Sequence, residues 1–293
     1  MSQHRDWDIK GRVCIVTGGN AGLGRATATE LARRGAQVFL AGRSRERIES
    51  AVAEIKHATG NLRVDGLMLD LASLGSIQAC ADTFQAKGLP LHVLINNAGR
   101  SGCGGLTHDG FELVFGTNHI GHFLLTMQLI GRMLESTPGR IINVTSLSHR
   151  KLKSVDWSIA TRPTPTDFTW PHPTYPVSKL ANILFTKELA RRLAGTGITT
   201  YAAHPGVVAT DIWRVVPPRL QPFLKLLKPL MATSEQGART QIRCAIAPEL
   251  ATETGLFYAA EKVRAPSALA QDAELAAELW RLSEDWCGCP SPI

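Results

Sequence analysis

Tyr175-Pro176-Val177-Ser178-Lys179 sets a phenol and an ammonium four residues apart. On a helix this spacing places both side chains on one face, about one turn apart. A phenol with a pKa near ~10 exchanges protons poorly at neutral pH. A neighbouring Lys⁺ favours the phenolate and draws that pKa toward the working range. The pair is an acid/base unit suited to interconverting a carbonyl and an alcohol. Its spacing also occurs in plain surface pairs, so the rest of the chain must supply the other parts.

A hydroxyl stands where such a unit needs one. Gly139 to Ser146 reads as a buried strand running into polar residues, with Ser146 at its carboxyl end. A hydroxyl there hydrogen-bonds a substrate oxygen as that oxygen gains charge. Val144-Thr145-Ser146-Leu147-Ser148 lacks the G-x-S-x-G elbow of a serine hydrolase, which argues against acyl transfer.

Val13-Cys14-Ile15-Val16 is a short apolar run, read as a buried strand. It ends in Thr17-Gly18-Gly19-Asn20-Ala21-Gly22-Leu23-Gly24, and a helical pattern follows until Gly35 stops it. Strand, glycine turn and helix together form a dinucleotide site. The glycines admit a pyrophosphate, and the helix N-terminus offers free N–H groups and a positive dipole end. The glycines fall as Gly18-x3-Gly22-x-Gly24, unlike the GxGxxG of ordinary dinucleotide domains. The second strand, Gln37 to Ala41, is followed by Gly42-Arg43. NAD-binding domains place an acid there for the ribose 2′-OH, and Ala41, Gly42 and Arg43 include none. Arg43, supported by Arg25 after the last glycine, offers guanidinium forks suited to a 2′-phosphate. The expected cofactor is NADP(H).

A helix from Ser44 to about Thr59 leads to a strand from Val64 to Leu69, which ends at Asp70-Leu71. The Asp70 carboxylate can reach an adenine amino group or cap the helix that begins near Ser73. A fourth strand, Leu91 to Ile95, runs into Asn96-Asn97-Ala98-Gly99. These small polar residues allow close backbone approach at the ligand-binding edge of a parallel sheet. Phe111 to about Leu134 is a long helical region that holds Asn118. His119 and His122 flank Gly121 there, with no third ligand for a metal. Residues 147–174 are rich in Pro, Thr and Trp, and form a wall or lid. After the Tyr175 helix come a strand from Ile198 to Ala203 and then His204-Pro205-Gly206-Val207-Val208-Ala209-Thr210. Residues 211–232 carry an amphipathic segment with Lys225 and Lys228, which fits a substrate lid, a peripheral membrane contact or a packed helix. A strand near Leu256-Phe257-Tyr258 and an acidic helical region finish the chain.

The 293 residues allow one larger α/β domain, and their composition is that of a globular chain. The net charge of +7 invites a nucleic-acid reading. The basic residues come instead as short pairs and one cluster, Arg43, Arg45 and Arg47, with no interleaved aromatics, so none is expected to bind nucleic acid. Six scattered cysteines match no zinc spacing and fit a reducing compartment. Cys287-Gly288-Cys289 belongs to an expected disordered end. The first residues are polar and no run is apolar enough to span a bilayer, so the expected location is cytoplasmic, without a transmembrane segment.

In combination these stretches resemble the short-chain dehydrogenase/reductase family. Thr17-Gly18-x3-Gly22-x-Gly24, Asn96-Asn97-Ala98-Gly99, Ser146 and Tyr175-x3-Lys179 occur in the family's order, joined by Asn118 and the Pro205-Gly206 turn. The long interval between Ser146 and Tyr175, with Asn118-His119-Ile120-Gly121-His122-Phe123 and Ser178-Lys179-Leu180-Ala181-Asn182, looks like the retinol-dehydrogenase-like branch. The N-terminal membrane segment that many members of that branch carry is not expected here, which sets retinoid specificity and membrane attachment apart from the rest of what the resemblance implies.

The resemblance implies an α/β, single-domain doubly wound Rossmann fold over residues 1–293, with a parallel sheet of about seven strands and substrate loops at 147–174 and 211–232. It implies that Tyr175 exchanges a proton with the substrate oxygen. Lys179 would hold the nicotinamide ribose and lower the Tyr175 pKa. Ser146 would orient the oxygen, and Asn118 would support a water linking Lys179 to solvent. The cofactor would lie against Thr17, Gly18, Asn20, Gly22, Leu23, Gly24, Arg25, Arg43, Asp70, Leu71, Asn97, Ala98 and Gly99. Tyr175, Lys179, Pro205, Gly206, Val208 and Thr210 would border its nicotinamide end. Trp157, Phe168, Trp170, Trp213 and Phe223 point to a hydrophobic aldehyde, ketone or alcohol, with reduction the expected direction. Many family members form dimers, so a homodimer is a further expectation. Two alternatives stand beside this one. A nucleotide-sugar epimerase or dehydratase would show TGxxGxxG spacing in the first turn. A nicotinamide-binding regulatory protein without turnover would not need all four catalytic positions filled.

Overall fold

Strand β1 (Val13–Thr17) is buried along its whole length, and its side chains divide by parity. Val13 and Ile15 join Phe39, Leu94 and Ile141 on one face of the sheet. Cys14 and Val16 join Val38, Leu40, Ile95 and Ile142 on the other. A strand apolar on both faces belongs inside a parallel sheet covered by helices on both sides. The computed structural model describes residues 7–169, 172–206 and 232–293 and contains such a sheet.

The remaining strands are β2 (Gln37–Gly42), β3 (Val64–Met68), β4 (Val93–Asn96), β5 (Gly139–Val144), β6 (Ile198–His204), β7 (Leu256–Ala259) and β8 (Lys262–Val263). Their order is β3-β2-β1-β4-β5-β6-β7-β8. Neighbours run parallel from β3 to β7, and β8 turns back antiparallel to β7. The seven parallel strands are those expected; β8, only two residues long, is too short for periodicity to reveal. The order reverses between β1 and β4, and ligands of open α/β sheets bind at the carboxyl ends of the strands beside such a switch point.

Helices α1 (Gly22–Arg33) and α2 (Arg45–Thr59) cover one face, and α3 (Leu74–Gln85) lies on the other. Ser44 and Ser73 cap α2 and α3 by accepting from the Arg47 and Ser76 N–H groups. Asp70 is therefore not the cap of α3; its carboxylate accepts from the Ala72 N–H at 2.9 Å.

The expected helix from Phe111 to Leu134 is not continuous. A short α4 (Leu113–Phe115) passes into a π-helical turn, Gly116–Ile120, and only then into α5 (Gly121–Leu134). The extra residue of a π-turn re-aims side chains and is common at functional sites. Here it carries Asn118. Gly121 lets the turn press against β3's exit, since a Cβ there would lie 2.5 Å from the Leu71 carbonyl oxygen.

Helix α6 (Thr174–Arg192) buries 15 of its 19 residues. The sheet lies on one side of it and α8 (Ala273–Cys287) on another, with Leu180, Ile183 and Leu184 meeting Ala276 and Leu279. Helix α7 (Ser234–Ile246) packs on the α1 face through Cys244 and Ala245. The chain end is not loose, contrary to expectation. Cys287, Cys289 and Ile293 pack on the core, and Arg192 Nη1 donates to the Ile293 carbonyl at 2.9 Å. Among the described residues no helix is long and apolar enough to cross a membrane.

Candidate active site

The carboxyl end of β5 and the first turns of α6 are stitched together by polar bonds. Thr145 Oγ1 donates to the Lys179 carbonyl at 2.7 Å. Lys179 Nζ donates to the Val144 carbonyl at 3.0 Å, and Asn182 Nδ2 reaches the same oxygen at 3.3 Å. Tyr175 and Lys179 lie one helical turn apart on α6, and Ser146 is near enough to the Tyr175 phenol to favour its charged form. Lys179 Nζ lies 5.7 Å from the centre of the Tyr175 ring.

Asn118 completes the group from the other side. Its Oδ1 accepts from the Arg100 N–H at 2.8 Å, and its Nδ2 donates to the Arg100 carbonyl at 3.1 Å and to Ser178 Oγ at 3.0 Å. The Ser178 hydroxyl donates to the Tyr175 carbonyl at 2.8 Å. Gly99 admits this packing, because a Cβ there would meet Asn118 Oδ1 at 3.3 Å and Lys179 Nζ at 3.6 Å. All four residues named for chemistry in the sequence therefore gather at one end of the sheet.

Their electrostatics differ from expectation in one respect. Burial lowers Lys179 to about 8, because a charged ammonium is disfavoured away from water. Burial also lifts the Tyr175 phenol above its ordinary value, and the nearby Ser146 hydroxyl offsets this only in part. In the chain itself desolvation acts against the charged form of both groups, so the direction for the phenol is upward.

The turn after β1 is shaped for close approach. Gly18 has φ +64°, and a Cβ on Gly24 would fall 2.2 Å from the Gly18 carbonyl oxygen. The Gly18 N–H donates to Ala41 O at 2.7 Å, which ties the turn to β2. Side chains cap α2, α3, α7 and α8, but Ala21 gives α1 no such cap and its first turn holds no acid. The first N–H groups of α1 are left open to an anion. Thr17 Oγ1 accepts from the Asn97 and Ala98 N–H groups, both at 2.9 Å, and Asn97 Nδ2 donates to the Thr17 carbonyl at 2.8 Å. The Asn97-Ala98-Gly99 turn is thereby locked beside the glycine turn.

At the end of β2 the Asn20 side chain lies against Gly42, where a Cβ would meet its Oδ1 at 2.9 Å. Arg43 is exposed and pairs with no carboxylate among the described residues. Arg25, the expected second selector, binds Glu54 Oε2 on α2 at 2.8 Å. These residues fit a dinucleotide: a turn whose glycines leave room for close approach, an uncapped helix end, and an exposed cation at the end of β2.

Pro205 and Gly206 leave β6 at the same edge of the sheet, with Gly206 at φ +86°. Val208, Thr210, Trp213 and Phe223, with nearly all of segment 211–232, lie outside the described residues, as does Trp170. Segment 147–174 is anchored to the loop after β4. Thr164 Oγ1 donates to Glu112 Oε1 at 2.6 Å, Gly104 N–H to Pro165 O at 3.0 Å, and Thr169 N–H to Gly102 O at 2.6 Å. Trp157 is not a pocket wall; it is buried in the core with its ring 6.2 Å from that of Phe115.

Three residues at the site went unassigned from sequence. His122 bonds Thr17 (below). Gln241 on α7 donates to Asn97 Oδ1 at 3.1 Å, a contact across 144 residues that no local pattern signals. Arg100, half-buried behind Gly99, keeps an Nε with no partner. Burial lowers its pKa, and so does the charge of nearby Arg43. A basic residue directly after Asn97-Ala98-Gly99 was the available signal.

Comparison with known proteins shows the family. The sequence profile described as short chain dehydrogenase matches residues 12–157. Retinol dehydrogenase 12 of Mus musculus is 43% identical over 288 residues, covering 96% of this chain and 87% of that one. A crystal structure of an uncharacterized protein from Mycobacterium Paratuberculosis superposes with TM-score 0.76 at 33% identity, over 99% of this chain and 98% of that one. An actinorhodin polyketide ketoreductase solved with NADPH gives TM-score 0.64 at 29% identity, over 84% of this chain and 94% of that one.

Proposed function

Since the chain belongs to the short-chain dehydrogenase/reductase family, in its retinol-dehydrogenase-like branch, we propose that it is an NADP(H)-dependent oxidoreductase interconverting a hydrophobic carbonyl compound and its alcohol. The observation that carries this is the meeting of Ser146, Tyr175, Lys179 and Asn118 at the carboxyl edge of the sheet. The bound nicotinamide supplies the hydride chemistry. The chain's residues do the rest. The Tyr175 hydroxyl donates its proton to the substrate oxygen as charge gathers there, or takes it back from the alcohol. Ser146 holds that oxygen by a hydrogen bond that strengthens with its charge. Lys179 holds the nicotinamide ribose, and its ammonium is the charge that would stabilise a phenolate. Asn118 supports a water between Lys179 and solvent.

Thr17, Gly18, Asn20, Gly22, Leu23 and Gly24 receive the pyrophosphate side of the cofactor, and Asp70, Leu71, Asn97, Ala98 and Gly99 its adenosine side. Arg43 selects the 2′-phosphate. The unpaired state of its guanidinium supports this role, and the NADPH-bound relative is in keeping with it. Arg25 assists only if its pair with Glu54 opens. The retinol named for the Mus musculus relative makes a retinoid the first substrate to try.

The test is consumption of NADPH, with NADH alongside, against retinal and a panel of hydrophobic aldehydes and ketones. Turnover with NADPH and little with NADH is the expected result. Turnover with NADH alone overturns the role given to Arg43. Tight NADPH binding without turnover on any carbonyl favours the regulatory alternative. A cytoplasmic location belongs to the same proposal, supported by six free cysteines, and cell fractionation checks it.

A further inference from the structure

Two buried histidines flank Gly121, and the proposed chemistry uses neither. His119 has a structural partner: its Nε2 lies 2.9 Å from Ser283 Oγ, whose proton goes to the Leu279 carbonyl at 2.7 Å. This ring ties α8 to the π-helical turn.

His122 is placed differently. Its Nε2 is 2.9 Å from Thr17 Oγ1, and its Nδ1 is 3.0 Å from the Asn118 carbonyl oxygen. The protons can be assigned by elimination. Thr17 Oγ1 already accepts from two N–H groups, those of Asn97 and Ala98. A hydroxyl has two acceptor sites and one proton. Both acceptor sites are filled, so the hydroxyl must donate. Its choices are His122 Nε2 at 2.9 Å and Ile95 O at 3.4 Å, and the shorter bond is to the histidine. His122 Nε2 is then an acceptor without a proton. Nδ1 carries the ring proton and donates it to Asn118 O, the one direction a carbonyl allows.

The bonds join into one directed chain. It starts at the Asn97 and Ala98 N–H groups beside the glycine turn, and passes through Thr17 and His122 to the backbone of Asn118. From the Asn118 amide it continues through Ser178 to the Tyr175 carbonyl. His122 is the only side chain in it that spans from the β1 end to the π-helical turn.

We infer that His122 is a positioning residue: fixed as its Nδ1–H tautomer by Thr17, it holds the Asn118 carbonyl and so keeps the turn bearing the acid/base tyrosine in register with the dinucleotide turn. The titratable neighbours whose fields reach the ring are Lys179 and His119. Burial first, and Lys179 in addition, lower His122 to about 4. It therefore stays neutral at working pH, as the chain of bonds requires. This role rests on the proposed function for its effect on rate, but not for its tautomer or its bonds.

Three variants and one spectrum test it. His122→Asn keeps a donor near the Nδ1 position and loses the acceptor for Thr17; His122→Phe loses both; Thr17→Val removes the hydroxyl. Small misplacements of a catalytic group cost roughly tenfold to a hundredfold in rate. On that scale His122→Phe lowers kcat by about ten- to a hundredfold with KM for the carbonyl within about threefold. His122→Asn recovers most of that loss, and Thr17→Val falls between them. His122→Phe within about twofold of wild-type kcat, or His122→Asn as impaired as His122→Phe, overturns the proposal. The second readout needs no turnover. Nitrogen NMR of labelled histidine shows the Nδ1–H tautomer from about pH 5 to 8, and the amide shifts of Ser178 and Tyr175 move in His122→Phe. An Nε2–H tautomer, titration inside that range, or unmoved amides overturn it. If wild-type protein reduces no carbonyl with either nucleotide, the proposed activity has failed, while the spectrum still decides the role of His122.

Discussion

Lys179 ends against Val144: the ammonium donates to the Val144 carbonyl at 3.0 Å, and this is its one bond to a described residue. A single carbonyl compensates poorly for the water an ammonium loses, so burial lowers Lys179 from 10.5 to about 8. Between these values the unfolded chain binds a proton that the folded chain has released. Stability therefore rises as pH increases from about 8 to 10.5, and below about 8 the folded chain carries the full cost of the buried charge. That cost is about 3 kcal/mol. Lys179→Met removes it. The expected outcome is a Tm at neutral pH several degrees above wild type, together with lost turnover. A lower Tm would show that the lysine is held better than one carbonyl allows.

Tyr175→Phe separates binding from chemistry. The variant keeps the ring and loses only the proton that the substrate oxygen needs. Turnover should fall by about a hundredfold or more, with the Kd for NADPH changed by less than about threefold. Retained turnover would remove Tyr175 from its proposed role.

Arg43→Asp exchanges a cation for an acid at the end of β2. A charge-assisted bond contributes about 1.5–3 kcal/mol. The ratio of kcat/KM for NADPH over NADH should therefore drop by about ten- to a hundredfold. Arg25→Ala should change that ratio less, because Arg25 is already paired with Glu54 at 2.8 Å. Equal ratios in wild type and Arg43→Asp would reassign the 2′-phosphate site.

Two glycine substitutions with the same chemistry should have opposite signs. In Gly24→Ala the new methyl falls 2.2 Å from the Gly18 carbonyl oxygen, so the cofactor turn must shift. NADPH binding and Tm should both drop. Gly131→Ala lies within α5, and a Cβ there meets nothing within 4 Å. It should stabilise the protein by up to about 1 kcal/mol through helix propensity. Differential scanning calorimetry and a nucleotide titration check both.

Acid should unfold this chain early. Burial, the largest cause in each case, lowers His119 to about 3 and His122 and His204 to about 4, from 6.5. Each contributes stability that is fully present above pH 6.5 and lost as pH falls toward the folded value, because the unfolded chain takes up the proton first. Across that window each of the three takes up a proton on unfolding, and His92, His149 and His172, also lowered by burial, act in the same direction. Tm should fall steadily below pH 6.5, and a flat profile down to pH 4.5 or so would contradict neutral burial of these rings.

The strands and the site were legible to different depths. β1 and β4 are apolar on both faces, so each announced itself as a short apolar run, β5 showed the Ile141-Ile142 pair at its centre, and the polar residues at their exits marked the ligand edge. Tyr175, Lys179 and Ser146 could be named because acid/base chemistry restricts both residue type and spacing. The π-helical turn could not, since one extra residue in a helix leaves an apolar pattern almost unchanged. Trp157 looked like a pocket wall in a Trp-rich stretch, yet the fold turns it into the core beside Phe115. The chain end looked loose, yet Arg192 holds Ile293.

The sequence by itself determined the parallel sheet, the glycine turn, the cation at the end of β2 and the candidate acid/base pair. Each depends on a periodicity or a spacing within a few residues. Only the tertiary structure decided the raised pKa of Tyr175, the lowered pKa of Lys179, the pairing of Arg25 with Glu54, and the bonds of His122 to Thr17 and Asn118. Those depend on burial and on partners brought together across the sheet. Desolvation and proton direction are properties of an assembled site, and no single stretch of the chain contains them.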